Sequence, residues 1–414
     1  MVADGAGGKA NSGYAAFAHR DFRFHCTARL LFGVALSMQT VAVGWYIYGV
    51  TGSALALGIS GLASFLPAAL LALFAGHFAD THNRRRIVAV CFACCALGSF
   101  GLLVLVMSGT TNVLLIYACL LAVGSGRAFA NPASQALTAN VVPKEHFTNA
   151  VTWYSSAWST SRIIGPALGG LLYVLGPVAP FLVSCLFFAA ASLCVTLLSV
   201  STRPQGGRGP ITWETLSAGL RFIRSRQVII GAISLDLVAV LFGGATALLP
   251  IVAKDILQVD AWGLGLLRSA PALGAIAMGA WLAHSPIRGK AGKTMLIAVA
   301  IYGLSIVGFG LSGTLIVSML MLAVSGAADQ ISVVIRHTMV QAETPDEMRG
   351  RVAAVNGIFV SGSSDLGEFE SGVTAWWWGT VPAILVGGAA TVGFAALWAL
   401  IFPQLRDRDQ LVGK

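Results

Sequence analysis

Long apolar runs dominate the chain, and short polar breaks separate them. A helix needs about 20 predominantly apolar residues to cross a bilayer, and twelve runs are close to that length. Several breaks contain glycine, as at residues 51–53 and 108–110, which is typical of tight turns between helices. The pattern predicts spans at 25–49, 54–76, 86–107, 113–138, 150–174, 178–200, 228–252, 262–283, 294–311, 314–338, 352–376 and 380–402.

The composition agrees with an all-α membrane protein. Of the 414 residues, 56% are hydrophobic and only 10% are charged, whereas soluble domains carry about 25% charged residues. The 48 glycines are also abundant, and small residues allow membrane helices to pack closely. An ordinary soluble fold and a water-soluble solenoid are both disfavoured, because each needs a charged outer face.

Positive charge is concentrated on one side of the predicted spans. With both termini inside, the inner segments hold 21 of the 26 Lys and Arg residues, Arg336 among them, and the outer loops hold only Lys254. Such a bias is the usual orientation signal of membrane proteins. The net charge of +9 is therefore a topology signal. We expect a multi-pass protein of the plasma (inner) membrane with cytoplasmic termini and no nucleic-acid partner.

One long connection divides the chain. It is rich in Gly, Pro and Arg, and it ends in an amphipathic stretch that we expect to lie on the inner membrane surface. We predict an N-terminal cytoplasmic segment, a six-helix bundle, this linker, a second six-helix bundle and a cytoplasmic tail. Their ranges are 1–24, 25–200, 201–227, 228–402 and 403–414.

The two halves repeat each other at a spacing of 202 residues. Segment 143–170 aligns without a gap with segment 345–372, and the same offset places Arg127 opposite Asp329. Two like halves are a common plan for a secondary transporter, with the substrate path between them. The repeat therefore predicts two pseudo-symmetric six-helix bundles.

Ionisable residues inside the predicted spans are the main candidates for function. Charge at the bilayer centre costs about 2.5–3.5 kcal/mol on insertion scales, so such residues usually face a cavity or a partner. Arg127 and Asp329 are predicted near mid-depth and could form an ion pair that responds to protonation, or a static pair that holds the halves together. The candidates for proton coupling or the central cavity are Arg127, Arg162, Asp236, Asp329, Asp365, Glu368 and Glu370.

Three of these acids lie close together in predicted span 11. Asp365, Glu368 and Glu370 disfavour one another's ionisation at such short range, so this site could carry protons or bind a cationic substrate. Solvation in an outward vestibule or pairing with Arg162 is the alternative. Asp236 in predicted span 7 is another proton carrier, unless a hydrogen bond to the backbone or to a serine fixes it.

The loop between predicted spans 2 and 3 combines a glycine, an aspartate and three arginines. Charge-assisted bonds between such groups can form a latch that opens and closes, whereas an ordinary basic inner loop is the alternative. The spacing resembles the signature G-x-x-x-D-x-x-x-R-R/K-R motif of the major facilitator superfamily. The resemblance implies a conformational latch formed by Gly76, Asp80, Arg84, Arg85 and Arg86.

Predicted span 5 contains a proline among glycines. Proline removes a backbone hydrogen bond and glycine permits close crossing, so a packing kink is one interpretation. The sequence also resembles the G-P-x-x-G-G antiporter motif of drug exporters in the same superfamily, with Ser161 where an upstream glycine is expected. The motif residues are Gly165, Pro166, Gly169 and Gly170.

Further segments resemble one branch of that superfamily. Residues 127–133, 142–145, 161–166 and 365–372 are similar to the branch that includes the enterobactin exporter and macrolide efflux proteins. The resemblance covers nearly the whole chain. It implies the twelve-helix major facilitator fold and export of a drug or a siderophore.

Motifs for enzymatic chemistry are absent from the sequence. It contains no phosphate loop, nucleotide fingerprint or histidine-rich metal set, so we expect no enzyme, no cofactor and no metal. Uphill transport then needs an ion gradient, and protons are the default. We expect a small-molecule substrate, protons and the lipid bilayer as partners of a monomer. Uptake of a small solute and a non-transporting membrane sensor are the alternatives.

Overall fold

The structure is a computed structural model that describes residues 13–200, 213–285, 287 and 289–409. Helices joined by short turns make up these ranges, and they contain no strand. The side chains of Asp80 and Asp365 lie outside the described part. The predicted all-α fold is confirmed.

Six long helices form the first half of the chain. They are α1 (Arg20–Thr51), α2 (Ala54–Thr81), α3 (Arg84–Met107), α4 (Val113–Thr138), α5 (Phe147–Val174) and α6 (Ala179–Thr196). The side chains of Asn83 and Asn112 accept backbone N–H groups and so cap the starts of α3 and α4. Gly52 and Gly109 adopt positive φ at two predicted breaks, where a residue without a Cβ is favoured.

The second half contains the remaining helices. They are α7 (Trp213–Ser225), α8 (Gln227–Phe242), α9 (Leu249–Ile251), α10 (Ala261–His284), α11 (Ala291–Gly310), α12 (Leu315–Glu343), α13 (Asp346–Trp378), α14 (Thr380–Ile401) and α15 (Pro403–Arg406). Predicted span 7 is interrupted, because Gly243 and Gly244 separate α8 from a 3-10 turn (Ala245–Leu248), α9 and a π turn (Val252–Ile256). Glycine is a poor helix former, whereas hydropathy alone shows no break there.

Ten helical segments in the described part are long and apolar enough to cross a membrane. The helices α5 and α13 are longer than most of them, with 28 and 33 residues, but they are not among the ten. They complete the twelve long helices that the sequence predicted. These two helices are also equivalent in the sequence repeat, and both carry predicted site residues.

The helices form two compact units. One comprises Met1–Thr40 and Leu66–Pro210, and the other comprises Val41–Phe65 and Ile211–Lys414. In the first unit α3 packs against α4 and α6, and in the second unit α11 packs against α12 and α14. These two sets are equivalent in the sequence repeat, so the repeat extends to helix packing. The bundle boundaries proposed from sequence stay a prediction.

Glycines lie at close helix crossings within each unit. In the first, Gly165 and Gly169 of α5 approach α1, and a Cβ added at Gly169 would lie 2.8 Å from the backbone oxygen of Met38. In the second, Gly367 of α13 approaches α8, and its added Cβ would lie 2.8 Å from the oxygen of Val240. Gly165 and Gly367 are repeat partners. Both halves therefore use the same glycine position for the same kind of crossing.

Candidate functional site

A buried ion pair joins α8 to α12 in the second unit. The Arg336 guanidinium donates to the Asp236 carboxylate, and the two residues are only 2% and 4% exposed. Both lie in helices that are apolar enough to cross a membrane. Charge in such a setting is costly, so each residue stabilises the other.

Two further polar side chains lie beside this pair. Asp329 acts electrostatically on both Asp236 and Tyr302, and the Tyr302 hydroxyl donates to the backbone oxygen of Gly243 at 3.0 Å. Asp329 and Arg336 are seven residues apart on α12, which is about two turns, so they share a face. We call Asp236, Tyr302, Asp329 and Arg336 the polar cluster. In this cluster the single positive charge of Arg336 lies among two carboxylates and one phenol.

The pairing of Asp236 with Arg336 corrects two sequence interpretations. Arg336 was counted with the inner segments only as an orientation signal, whereas it is buried within α12 and forms an ion pair. The alternative to a proton-carrier role for Asp236 was a hydrogen bond to the backbone or to a serine. Its partner is instead an arginine 100 residues away in the chain. Only the spacing between Asp329 and Arg336 within one helix could have suggested a role for Arg336.

A second ion pair holds Glu368 of α13. The Nη2 group of Arg268, on α10, lies 3.2 Å from Glu368 Oε1, and the Thr246 hydroxyl donates to the same oxygen at 3.5 Å. Arg162 was the alternative partner expected for this acid. The structure provides Arg268 instead, another ionisable residue inside a predicted span.

The other acids of α13 differ in their surroundings. Glu370 is half-buried, and its Oε1 accepts the Thr374 hydroxyl at 2.7 Å one turn later in the same helix. Glu368 and Glu370 thus have separate partners. The predicted three-acid site is not tested, because the Asp365 side chain lies outside the described residues.

The Arg268–Glu368 pair is expected to contribute modestly to stability. Its side chains are 18% and 24% exposed, and the amide oxygen of Glu368→Gln can still accept a hydrogen bond from Arg268. We expect this variant to lose about 1 kcal/mol or less of folding free energy. Thermal unfolding in nanodiscs, beside Glu370→Gln as the matched control, measures this. Loss of all folded protein would contradict it.

The two predicted cavity arginines lie in the first unit. Arg127 is half-buried on α4, and Arg162 is exposed on α5. Asp329, the repeat partner of Arg127, belongs to the second unit. The central pair of Arg127 and Asp329 therefore stays a prediction.

The antiporter-like motif is a packing surface on α5. Gly165, Pro166, Gly169 and Gly170 are all buried, and α5 continues through the proline. Gly165 and Gly169 face residues 34–38 of α1. Close crossing thus explains these residue types without reference to transport, as the packing interpretation anticipated.

Two arginines of the predicted latch connect α3 to neighbouring segments. Arg84 Nη1 donates to Asn140 Oδ1 at 3.1 Å, just after α4. Arg85 donates to the backbone oxygen of Thr196, the last residue of α6. These contacts hold the start of α3 against two other helix ends in the same unit.

The remaining latch residues lie at the turn between α2 and α3. Gly76 and Asp80 are in the last turns of α2, and the Arg86 side chain is exposed. The interaction of Asp80 with the arginines is not tested, because its side chain lies outside the described part. The latch therefore stays a prediction.

Twelve long helices in two repeated halves, with ion pairs buried inside the spans, define a secondary transporter of the major facilitator type. A family model described as "Transmembrane secretion effector" matches residues 11–412. The chain belongs to this family of the major facilitator superfamily. It is an integral membrane transporter of small molecules, not an enzyme.

Individual relatives agree with this assignment. The enterobactin exporter EntS of Shigella boydii serotype 18 is 29% identical over 357 residues, covering 83% of this chain and 82% of that protein. The EntS protein of Escherichia coli O81 has the same identity and coverage.

Solved structures show the same fold. A bacterial homolog of the human lysosomal transporter Spinster aligns with a TM-score of 0.72 at 15% identity, over 96% of this chain and 99% of that one. The nucleoside transporter NupG aligns with a TM-score of 0.68 at 15% identity, over 92% and 99%. At such identities the likeness is one of fold only.

Proposed function

We propose that this transporter exports a small molecule, such as a drug or a siderophore, in exchange for protons by alternating access. The observation that carries the proposal is the buried pair of Asp236 and Arg336 with Asp329 beside it. The similarity to enterobactin exporters supports export as the direction and a siderophore as one kind of cargo.

Protons and Arg336 compete for the same carboxylate. A proton on Asp236 removes the negative charge that holds the guanidinium, so proton binding and breakage of the pair are linked. The repulsion from Asp329 favours binding of that proton. If the two conformations of the transporter differ in this pair, protons favour one and the cargo favours the other. Such differential affinity is what drives a conformational shift.

The setting of this exchange follows from the charge distribution. We propose that the protein acts as a monomer in the inner (plasma) membrane with both termini in the cytoplasm, because inner segments hold most Lys and Arg residues. The sequence contains no nucleotide-binding motif, so the proton gradient supplies the energy.

Proton release from acid-loaded inverted vesicles tests the exchange. We expect catechol siderophores or drugs, added outside, to release protons from vesicles that contain the wild-type protein. Asp236→Asn, compared at equal amounts of folded protein in the vesicles, is expected to abolish this release, because the amide cannot take up a proton. Asp329→Asn and Glu368→Gln show whether those acids share the role. The matched control is Asp409→Asn, an exposed acid near the C-terminus, which should behave as wild type.

Each other outcome favours a different function. Cargo movement without proton flux, or full proton flux in Asp236→Asn, contradicts coupling through this acid. Cargo movement in the opposite direction supports uptake. No response to any compound, from protein shown to be folded, supports the sensor alternative.

A further inference from the structure

Charged residues within the helices of the first unit are almost entirely basic. From the start of α1 to residue 200 the sequence contains three acids, Asp21 in the first turn of α1, Asp80 near the end of α2 and Glu145 between α4 and α5. The basic residues further inside the helices are Arg29 on α1, Arg127 on α4 and Arg162 on α5. This distribution is suited to attracting an anion.

Arg29 is buried against two aromatic rings. The residue is 8% exposed, and its guanidinium carbon lies 4.1 Å from the ring centroid of Trp158 and 4.8 Å from that of Tyr154. The two aromatic residues are four positions apart on α5 and so share a face. Contact with the face of an aromatic ring stabilises a buried cation. The rings leave the positive charge itself uncompensated.

Among the described residues, no carboxylate pairs with Arg29. Its Nε is enclosed and has no hydrogen-bond partner. By contrast, Arg268 and Arg336 of the second unit are each paired with an acid. A buried charge is normally paired and hydrogen-bonded, so the partner of this guanidinium remains to be supplied by a ligand.

Neighbouring side chains hold the aromatic surface in place. The Tyr154 hydroxyl and Ser134 Oγ lie 2.8 Å apart in a hydrogen bond. His25 stacks on Tyr154 with ring centroids 5.1 Å apart, and His25 Nε2 lies 3.0 Å from Thr138 Oγ1. Since α1, α4 and α5 all contribute, Arg29 has a prepared position. Preorganisation of this kind lowers the entropic cost of binding a ligand.

We propose that Arg29 binds an anionic group of the transported molecule, formed by a planar pair of oxygens such as a carboxylate or a catecholate. A guanidinium presents adjacent N–H donors that match two such oxygens in one plane. Trp158, which is half-buried, offers apolar ring surface beside the charge, where an aromatic part of the ligand can pack. The inference rests on the proposed transport of a small molecule and names the chemical class of that cargo.

Calorimetric titration of the protein in nanodiscs tests this subsite. The probes are benzoate, 2,3-dihydroxybenzoate, methyl 2,3-dihydroxybenzoate and neutral methyl benzoate. We expect Arg29→Gln to weaken binding of the planar oxygen groups about 10- to 100-fold and to leave methyl benzoate unchanged. Arg29→Lys keeps the charge without the planar donors, so its affinity for these probes should lie between those of wild type and Arg29→Gln. Arg23→Gln, at an exposed arginine of the same helix, is the matched control and should equal wild type.

The probes distinguish the two anion sources. If Arg29→Gln binds benzoate more weakly than wild type does, the site recognises carboxylates. If it binds methyl 2,3-dihydroxybenzoate more weakly, the site recognises catechol oxygens. The proposal is overturned if wild type binds none of them more tightly than methyl benzoate, or if Arg29→Gln weakens all four equally. If Arg29→Gln does not fold, Arg29→Lys provides the test. Weaker binding of benzoate or the dihydroxybenzoates, with unchanged binding of methyl benzoate, supports the subsite. Unchanged affinity for all four probes overturns it.

Binding of the probes needs no proton gradient, which separates this subsite from the proposed antiport. Arg29-dependent binding without proton release in vesicles contradicts only the antiport. Proton release that is identical in wild type and Arg29→Lys, together with unchanged probe binding, contradicts only the subsite.

Discussion

Replacing Asp236 with leucine is expected to destabilise the protein by about 3–5 kcal/mol, because it leaves the buried Arg336 guanidinium without a counter-charge. Arginine remains protonated in proteins, so this side chain has no means of becoming neutral. We expect little folded protein by size-exclusion chromatography and a much lower unfolding temperature in nanodiscs. A single variant as stable as wild type would contradict this expectation.

The double variant Asp236→Leu with Arg336→Met separates stability from transport. Apolar residues of similar size often replace a buried ion pair without loss of stability, so we expect folding to return towards wild type. Proton-coupled transport should remain absent, because the carboxylate is missing. Wild-type transport by a folded double variant would show that the pair is only structural.

Replacing Gly169 with valine is expected to displace α5 from α1. The new Cβ would lie 2.8 Å from the oxygen and 3.1 Å from the Cα of Met38, and backbone atoms cannot rotate away as a side chain can. Overpacking of this kind costs about 1–3 kcal/mol. Thermal unfolding in nanodiscs should show a clear loss of stability, and transport should fall with the folded fraction.

Gly393→Val is the matched control for this prediction. Gly393 lies in α14, and a Cβ added there meets nothing within 4 Å. The same substitution should therefore leave stability nearly unchanged. Equal losses of stability in Gly169→Val and Gly393→Val would mean that valine is generally unfavourable in these helices. The close crossing of α5 with α1 would then not be the cause of the destabilisation.

The helices could be predicted because each is defined locally. A chain in the bilayer must satisfy its backbone hydrogen bonds internally, so an apolar run of sufficient length becomes a helix. Predicted span 5 became α5 although it is not among the ten segments apolar enough to cross a membrane by composition alone, because turn residues and the repeat mark its limits. The break at Gly243 escaped prediction because the residues around it remain apolar.

The site could be predicted only in part. Asp236 and Glu368 stood out because charge is costly in a membrane span, and the structure places both in ion pairs. Arg336 was counted as an inner-segment charge although predicted span 314–338 contains it near the span's inner end. Its use as an orientation signal thus concealed half of the buried pair.

The sequence by itself determined the twelve spans, the repeat of the two halves and the family resemblance. These properties depend on local hydropathy and on chain order. Only the tertiary structure decided that Asp236 meets Arg336 and that Arg29 lies against aromatic rings. Such contacts depend on the rotation and crossing of helices that are far apart in the chain, and local residue patterns do not record either.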